Sequence, residues 1–204
     1  MSAPRLYLAS RSPRREALLR QLDVEFETLL LREAPGRPRD VVESPEAAEP
    51  AADYVLRMAR AKAAIGWQRL HERKLAPRPV LGADTEVVLD GEIFGKPRND
   101  ADALRMLRRL SGRTHEVLTG VAIHAGERSE AALSTSRVTF RRLGAAEMDR
   151  YVGTREPFDK AGGYAVQGRA AAFVSRLDGS YTGVVGLPLY ETATLLAQAG
   201  LRVV

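Results

Sequence analysis

The sequence predicts an α/β domain built on one mixed sheet, and three observations support this prediction. Short apolar runs alternate along the chain with amphipathic stretches, which is the pattern of strands and helices that pack in layers. The 204 residues are 45% hydrophobic, which is enough for a single core of ordinary domain size. No repeat, linker or low-complexity segment interrupts the sequence. We therefore expect residues 1–204 to form one domain.

The first two elements are expected to follow each other directly. Residues 5–9 (RLYLA) are typical of a strand. Ser12 followed by Pro13 then predicts a helix N-cap and first turn, because a proline there lacks only an N–H that would be unpaired anyway. Three leucines recur after it at the spacing of one buried helical face.

The later elements follow from the same rules. Apolar alternation predicts strands, helical periodicity with capping residues predicts helices, and Asp90 with Gly91 predicts a tight turn between strands. The expected order is strand 25–31, a polar loop from Arg32 to about Pro45, helix 46–73, a strand pair within 79–97, helix 99–112, strands 115–125 and 132–143, helix 145–153, a further strand pair, and a helix around 191–200.

Composition excludes several classes of function. The net charge of +5 favours anionic partners such as nucleotides, but no basic and aromatic stacking surface or helix-turn-helix pattern indicates nucleic-acid binding. The absence of cysteine excludes disulfides, a thiol nucleophile and a cysteine zinc site. No signal-peptide pattern and no apolar run of about 18 residues is present, so we expect a cytoplasmic protein that does not bind membranes.

Four cations occupy positions where the pattern favours other residues. Arg14 and Arg15 stand at the N-terminal end of the first helix, where the helix dipole disfavours positive charge. Lys62 falls on the apolar face of the long helix, although a lysine there is often one that snorkels to solvent. Lys96 is held extended by Pro97, a position that also suits an ordinary turn lysine. An anion bound between these segments would explain all four.

Two carboxylates are equally out of place in the strand before the Asp90 turn. Asp84 and Glu86 share one face of an otherwise apolar strand, and Gly82 indicates a close approach to the same face. A buried carboxylate is unfavourable unless it is paired, although an edge strand with a solvated face would accept both acids. Cations that converge on a carboxylate suit triphosphate chemistry, in which the cations hold the phosphates and the carboxylate holds metal or orients water.

Other candidate sites have weaker support. His71, His115 and His124 lack metal-ligand spacing and are interpreted as surface or strand residues. The sequence has neither a Gly-x-Gly-x-x-Gly pattern nor a Walker loop. The glycine-rich segment 179–188 (GSYTGVVGLP) is explained by turn and cap chemistry.

Seven separated motifs carry further information: LASRSPRREALL, LRMARAKA, LGADT, GKPR, LSGRTHEVLTGV, DKAGGYAVQG and GSYTGVVGLPLYET. In order and over nearly the whole chain, they resemble the motifs of the Maf nucleoside triphosphate pyrophosphatases. The resemblance implies a two-lobed mixed sheet with flanking helices, similar to the inosine triphosphate pyrophosphatases, with the active site in a cleft between the lobes. It also implies hydrolysis of a nucleoside triphosphate to the monophosphate and pyrophosphate with a divalent cation, Mg²⁺ or Mn²⁺. The resemblance further implies a house-cleaning role and a link to cell-division arrest.

The resemblance also assigns roles to single residues. It implies that Asp84 is the proton acceptor and a metal ligand, and that an acidic ligand follows the second strand, where we align Glu33. Substrate choice is tied to Arg14, Thr85 and Gln167, and YAVQG with Gln167 is similar to the branch that acts on dTTP and UTP. A glutamine amide can pair with the O4 and N3–H edge of uracil or thymine. The other substrate-binding residues implied are Ser10, Arg15, Lys62 and Lys96.

Two residues depart from the family's usual pattern. Arg11 stands where a small residue is usual and adds a cation beside the phosphate site. Glu86 stands where an apolar residue is usual and is either a further metal ligand or an exposed side chain.

We favour the interpretation that the chain is a dTTP/UTP pyrophosphatase, and we leave open whether it forms a homodimer. The alternatives are the same chemistry on 7-methyl-GTP or another nucleotide, and a basic regulatory protein that binds nucleic acid or a division partner.

Overall fold

A seven-stranded mixed sheet with flanking helices forms the part of the chain that the computed structural model describes, residues 5–32, 40–201 and 203. The strands are β1 (Arg5–Leu8), β2 (Glu25–Thr28), β3 (Val80–Leu89), β4 (Glu92–Phe94), β5 (Thr114–Ala125), β6 (Arg128–Phe140) and β7 (Val174–Asp178). The helices are α1 (Pro13–Arg20), α2 (Ala51–Glu72), α3 (Asp100–Leu110), α4 (Ala145–Gly153), α5 (Tyr181–Val185) and α6 (Leu189–Gln198), with 3₁₀ turns at Ala161–Gly163 and Arg169–Phe173. The predicted α/β class with a mixed sheet is therefore confirmed. None of these helices has the length and apolarity that crossing a bilayer requires.

The strand order leaves a break on one side of β3. The order is β2-β1-β3-β5-β6-β7, in which β1 is parallel to both neighbours and the other pairs are antiparallel. Strand β1 pairs with β3 only as far as Leu8 opposite Leu81, and β4 pairs with β3 from Phe94 opposite Val87. Among the described strands, residues 82–86 of β3 therefore have a neighbour only on the β5 side. The chain leaves the sheet after β1, and this departure opens space beside the centre of β3.

Polar residues divide the apolar core at the level of residues 82–86 of β3. On one face of β3, Ala83 packs in a core with α1 and α6, whereas Val87 packs in a core with α3 and α4. Thr85 lies between these two positions, with its hydroxyl 3.0 Å from the hydroxyl of Thr119 on β5. Buried hydroxyls need polar partners, so they interrupt the apolar packing here. The two cores are therefore separate clusters that share one sheet.

Helix α2 covers the opposite face of the sheet at close range. A Cβ atom built on Gly82 would stand 2.5 Å from the Ala59 carbonyl oxygen, and one on Gly120 would stand 2.5 Å from the Val55 carbonyl oxygen. Glycine at these positions lets the helix backbone approach the strands. The close approach that Gly82 indicated in the sequence is explained by α2, which brings Lys62 over β3.

Predicted boundaries of three elements are wrong by three to five residues, and one of these elements is β6, which spans Arg128–Phe140 rather than 132–143. Helix α2 begins at Ala51 rather than at 46, because Pro50 disfavours helical geometry in the residue before it. Strand β2 ends at Thr28, so the three leucines that follow do not extend it.

The further strand pair expected after α4 is also wrong. Only β7 is found there among the described residues, and 3₁₀ turns precede it. Gly162 and Gly163 have positive φ of 68° and 70°, a conformation that strands do not use. Gln167, expected on a strand, lies in a turn in which the Gly168 N–H donates to the Ala165 carbonyl at 3.0 Å.

Acid is expected to destabilise the fold through His115, which is buried in β5 with Nε2 2.8 Å from the Tyr164 hydroxyl. Burial lowers the pKa of His115 to about 4, against about 6.5 for an exposed imidazole. The unfolded chain binds this proton more tightly than the folded chain does. The stabilisation of the fold that comes from neutral His115 is therefore complete above about pH 6.5 and is lost as the pH falls towards 4. At about 1.4 kcal/mol per pKa unit, the loss reaches about 3 kcal/mol.

Urea unfolding of the wild type and of His115→Gln at several pH values measures this contribution. The carboxylates titrate in both proteins, so the difference between their free energies of unfolding isolates the imidazole. His71→Gln, which changes an exposed histidine on α2, is the matched control and should follow the wild type. A difference between wild type and His115→Gln that stays constant with pH would contradict the prediction.

Candidate active site

A cleft of about 310 Å³ opens at the break beside β3. It lies between the first turn of α1, the centre of β3, the loop after α4 and the end of α5. The side chains that line it include every catalytic and substrate-binding residue expected from the sequence, namely Ser10, Arg14, Arg15, Lys62, Asp84, Thr85, Lys96 and Gln167. Glu33, the second expected metal ligand, lies outside the described residues.

Asp84 is buried in the wall of the cleft, with 7% of its surface exposed. Its Oδ1 accepts a hydrogen bond from Lys62 Nζ at 2.6 Å, whereas its Oδ2 is buried and has no hydrogen-bond partner among the residues that the structure describes. Lys62 Nζ also lies 2.5 Å from Glu43 Oε1. Only 12% of the Lys62 side chain is exposed and its ammonium is paired twice, so the snorkelling alternative does not describe it. Helix α2 and strand β3 thus hold a carboxylate with one oxygen engaged and one unpaired.

Glu43 is a cleft residue that sequence reasoning missed. It lies between β2 and α2, with its carboxylate on Lys62. Burial favours a higher pKa for Glu43, but the positive charges of Lys62 and Lys96 outweigh burial and lower it. Glu43 lies in a segment without regular periodicity, so no pattern in the sequence singled it out.

Glu86 adds a third carboxylate, two residues beyond Asp84 on the same face of β3. Its Oε2 is buried and has no hydrogen-bond partner. Burial raises the pKa of Glu86 to about 8, and repulsion from Asp84 and Glu43 acts in the same direction. Of the two interpretations from the sequence, an exposed side chain does not fit this environment.

Protein contacts hold the Arg15 side chain on the cleft wall. Ser12 caps α1 by accepting a hydrogen bond from the Arg15 backbone N–H at 3.4 Å. The guanidinium donates through Nε to the Gly186 carbonyl at 2.7 Å and through Nη2 to the Thr85 hydroxyl at 3.1 Å. Burial lowers the pKa of Arg15, while the negative charge of Asp84 opposes that shift. A carbonyl at the end of α5 and a nearby carboxylate therefore stabilise a cation at this helix N-terminus, where the dipole disfavours it.

More charged groups lie around the first turn of α1. Arg14 Nη1 lies 3.3 Å from Asp159 Oδ2, and Asp159 Oδ1 accepts a hydrogen bond from Lys160 Nζ at 2.7 Å. Sequence reasoning missed Asp159 and Lys160 as cleft residues, although adjacent charges before two glycines were a signal. Arg11, expected to add a cation beside the site, lines the cleft and donates to the Leu31 carbonyl at 2.9 Å.

Gln167 lines the cleft as an exposed residue that follows apolar neighbours. Val166 and Tyr164 line the cleft beside it, and the buried Tyr164 is fixed by its contact with His115. None of the three histidines lines the cleft, in keeping with their interpretation as surface or strand residues. Apolar neighbours with a single amide suit a flat ring whose polar edge is recognised.

Comparison with known proteins connects this cleft to a family. The family model described as Maf-like protein matches residues 5–199. A dTTP/UTP pyrophosphatase of Nitrosospira multiformis is 56% identical over 98% of this chain and 96% of its own length, and one of Nitrosomonas europaea is 50% identical over 97% and 96%. The match to the Staphylococcus aureus Ham1 protein covers 67% of this chain and 71% of that protein at 13% identity, with a TM-score of 0.42. Because the family match runs through all of the cleft-lining residues, the chain belongs to the Maf family.

Proposed function

We propose that this chain hydrolyses dTTP and UTP to the nucleoside monophosphate and pyrophosphate. The observation that carries the proposal is a buried Asp84 carboxylate, with one unpaired oxygen, in a cleft that also holds Arg14, Arg15 and Lys96. Cations in such a position stabilise the charge of a triphosphate. The choice of dTTP and UTP is supported by the names of the two bacterial relatives.

The cleft fits a divalent cation, Mg²⁺ or Mn²⁺, which the family implies. Asp84 Oδ2 is a buried oxygen without a partner, and these cations prefer carboxylate oxygens. Among the described residues, no three His, Asp or Glu side chains form a ready-made metal site. Mg²⁺ is often held by one or two carboxylates together with substrate phosphates, so Asp84 suits it as a protein ligand. When bound, the cation supplies neutralisation of phosphate charge. Glu33 as a second ligand stays a prediction.

Asp84 accepts the proton of the attacking water in the proposed mechanism. Oδ2 of Asp84 has two lone pairs, so one can face a cation while the other orients a water molecule and takes its proton, and Lys62 holds Oδ1 at 2.6 Å. The water oxygen bonds to the α-phosphorus in line with the bridging oxygen. The bond between the α-phosphorus and this bridging oxygen breaks, and the bridging oxygen leaves as part of pyrophosphate. The arginines and lysines of the cleft hold the phosphates in the orientation that this displacement requires.

A panel of nucleotides tests the proposal. Pyrophosphate release with Mg²⁺ or Mn²⁺ present is expected to be fastest for dTTP and UTP among dTTP, UTP, CTP, GTP and 7-methyl-GTP. If 7-methyl-GTP is hydrolysed fastest, the proposed reaction stands but the proposed substrates, dTTP and UTP, are wrong. Release from none of them would favour the regulatory alternative, a protein that binds nucleic acid or a division partner.

The bond that is cleaved has a separate test. Hydrolysis in ¹⁸O-water is expected to label the monophosphate and leave pyrophosphate unlabelled, because the proposed attack is at the α-phosphorus. Label in pyrophosphate alone would place the attack at the β-phosphorus instead.

Gln167→Ala is expected to relax substrate choice without changing the cleaved bond. Gln167 lines the cleft beside apolar residues, and removal of its amide leaves the pyrimidine edge unpaired. We expect a penalty of about 1–3 kcal/mol against dTTP and UTP, with little effect on nucleotides that never used the contact. The measurement is the ratio of kcat/KM for UTP to that for CTP and GTP. An unchanged ratio with uniformly lower activity would make Gln167 a scaffold residue.

We further propose one catalytic domain over residues 1–204, in the cytoplasm. The family match over residues 5–199 supports the single domain. The cytoplasm suits an enzyme that acts on nucleoside triphosphates. Light scattering after size exclusion would decide whether the enzyme forms the homodimer left open by the sequence.

A further inference from the structure

Two buried carboxylate oxygens on one face of β3 have no hydrogen-bond partner within the described part of the chain. They are Oδ2 of Asp84 and Oε2 of Glu86. Asp84 is more than nine-tenths buried, with 7% of its surface exposed, and both residues line the cleft. A buried carboxylate oxygen without a partner is costly, so each requires a physical explanation such as a bound ion.

The fold sets these two carboxylates side by side. Residues two apart on a strand project from the same face, and β3 has no described strand neighbour at this level on the side of β1 and β4. Lys62 is engaged by Asp84 Oδ1 at 2.6 Å and by Glu43 Oε1 at 2.5 Å. Its ammonium therefore compensates those two oxygens, and Oε2 of Glu86 has no hydrogen-bond partner among the described residues.

We propose that Glu86 is a further ligand of the divalent cation, which it binds together with Asp84. Two carboxylates, completed by phosphate oxygens and water, are a set of ligands that suits Mg²⁺ and Mn²⁺. The inference rests on the proposed function, which supplies the cation.

Calorimetric titration of the nucleotide-free chain with Mn²⁺ tests the inference without any turnover. We expect Glu86→Gln, which keeps the size of the side chain and removes its charge, to weaken Mn²⁺ binding at least about tenfold, since even outer partners of metal ligands cost about 10–100-fold when removed. Glu86→Asp keeps the charge but withdraws the carboxylate by one methylene. It is expected to weaken binding clearly as well. Glu127→Gln, in the exposed turn between β5 and β6, is the matched control and should bind Mn²⁺ like the wild type.

The outcomes separate this inference from the proposed function. Normal Mn²⁺ affinity in Glu86→Gln, or no Mn²⁺ binding by the wild type, would overturn the inference. Weak binding in Glu86→Gln with normal binding in Glu86→Asp would also overturn it, because Glu86 would then act through its charge alone. If Mn²⁺ binding depends on Glu86 but no nucleotide is hydrolysed, the metal ligand stands and the proposed function fails. If nucleotides are hydrolysed and both Glu86 variants bind Mn²⁺ normally, the function stands and the inference fails.

Discussion

Replacing Asp84 with asparagine is expected to lower kcat for dTTP and UTP by about 10²–10⁴-fold, the usual cost of losing a general base. Asparagine keeps the shape of the side chain but cannot take the proton of the attacking water. The change also removes the charge that faces Lys62 Nζ at 2.6 Å and leaves that ammonium with Glu43. Initial rates of pyrophosphate release at saturating nucleotide measure kcat.

A matched control separates loss of chemistry from loss of folding. Asp53→Asn makes the same change on an exposed position of α2 outside the cleft, and we expect kcat within about twofold of the wild type. Loss of one partner of the buried Asp84–Lys62 pair is destabilising, so thermal unfolding of each variant is measured in parallel. A folded Asp84→Asn protein with near-normal turnover would show that Asp84 is not the base.

Arg15→Ala is expected to lower kcat/KM for dTTP and UTP alike, by at least about tenfold. Hydrogen bonds of charged groups contribute about 1.5–3 kcal/mol each, and the substitution removes one cation from the phosphate site. It also leaves the Gly186 carbonyl and the Thr85 hydroxyl without the guanidinium that now contacts them at 2.7 and 3.1 Å. Arg15→Lys should recover only part of the activity, because an ammonium lacks the planar fork that makes both contacts.

Arg20→Ala is the control for this prediction, because Arg20 stands at the other end of α1 with 64% of its side chain exposed. We expect it to keep kcat/KM close to that of the wild type. Alanine at Arg14, Lys62 or Lys96 should weaken the use of both nucleotides in the same way as Arg15→Ala. Full activity in Arg15→Ala would restrict that arginine to a structural link between α1 and the end of α5.

Features set by neighbouring residues could be predicted from the sequence. Ser12 caps α1 as expected, because a cap depends on one hydroxyl and the N–H groups three residues on. The turn after β3 has positive φ at both Asp90 (54°) and Gly91 (77°), as its dipeptide indicates. Lys62, Asp84 and Glu86 could be singled out because they interrupt apolar periodicity, which is visible without a structure.

Features that depend on loop paths could not be predicted in the same way. Glu43 reaches Lys62 from a segment of no regular period, so no pattern marked it. The loop after α4 was expected to contain a strand, but positive φ at Gly162 and Gly163 turns it into the wall that carries Gln167.

Local patterns along the chain were enough to predict the α/β class, the capped first helix and several charged residues that have no place in an apolar core. The gap beside the centre of β3, where neither β1 nor β4 pairs with it and no other described strand does so on that side, depends on the three-dimensional arrangement of the strands. Only the tertiary structure decided that Lys62 engages one oxygen of Asp84 and leaves the other unpaired among the described residues. The reason is physical: periodicity records which side of an element is buried, whereas the pairing of charges depends on distances between elements that are remote along the chain.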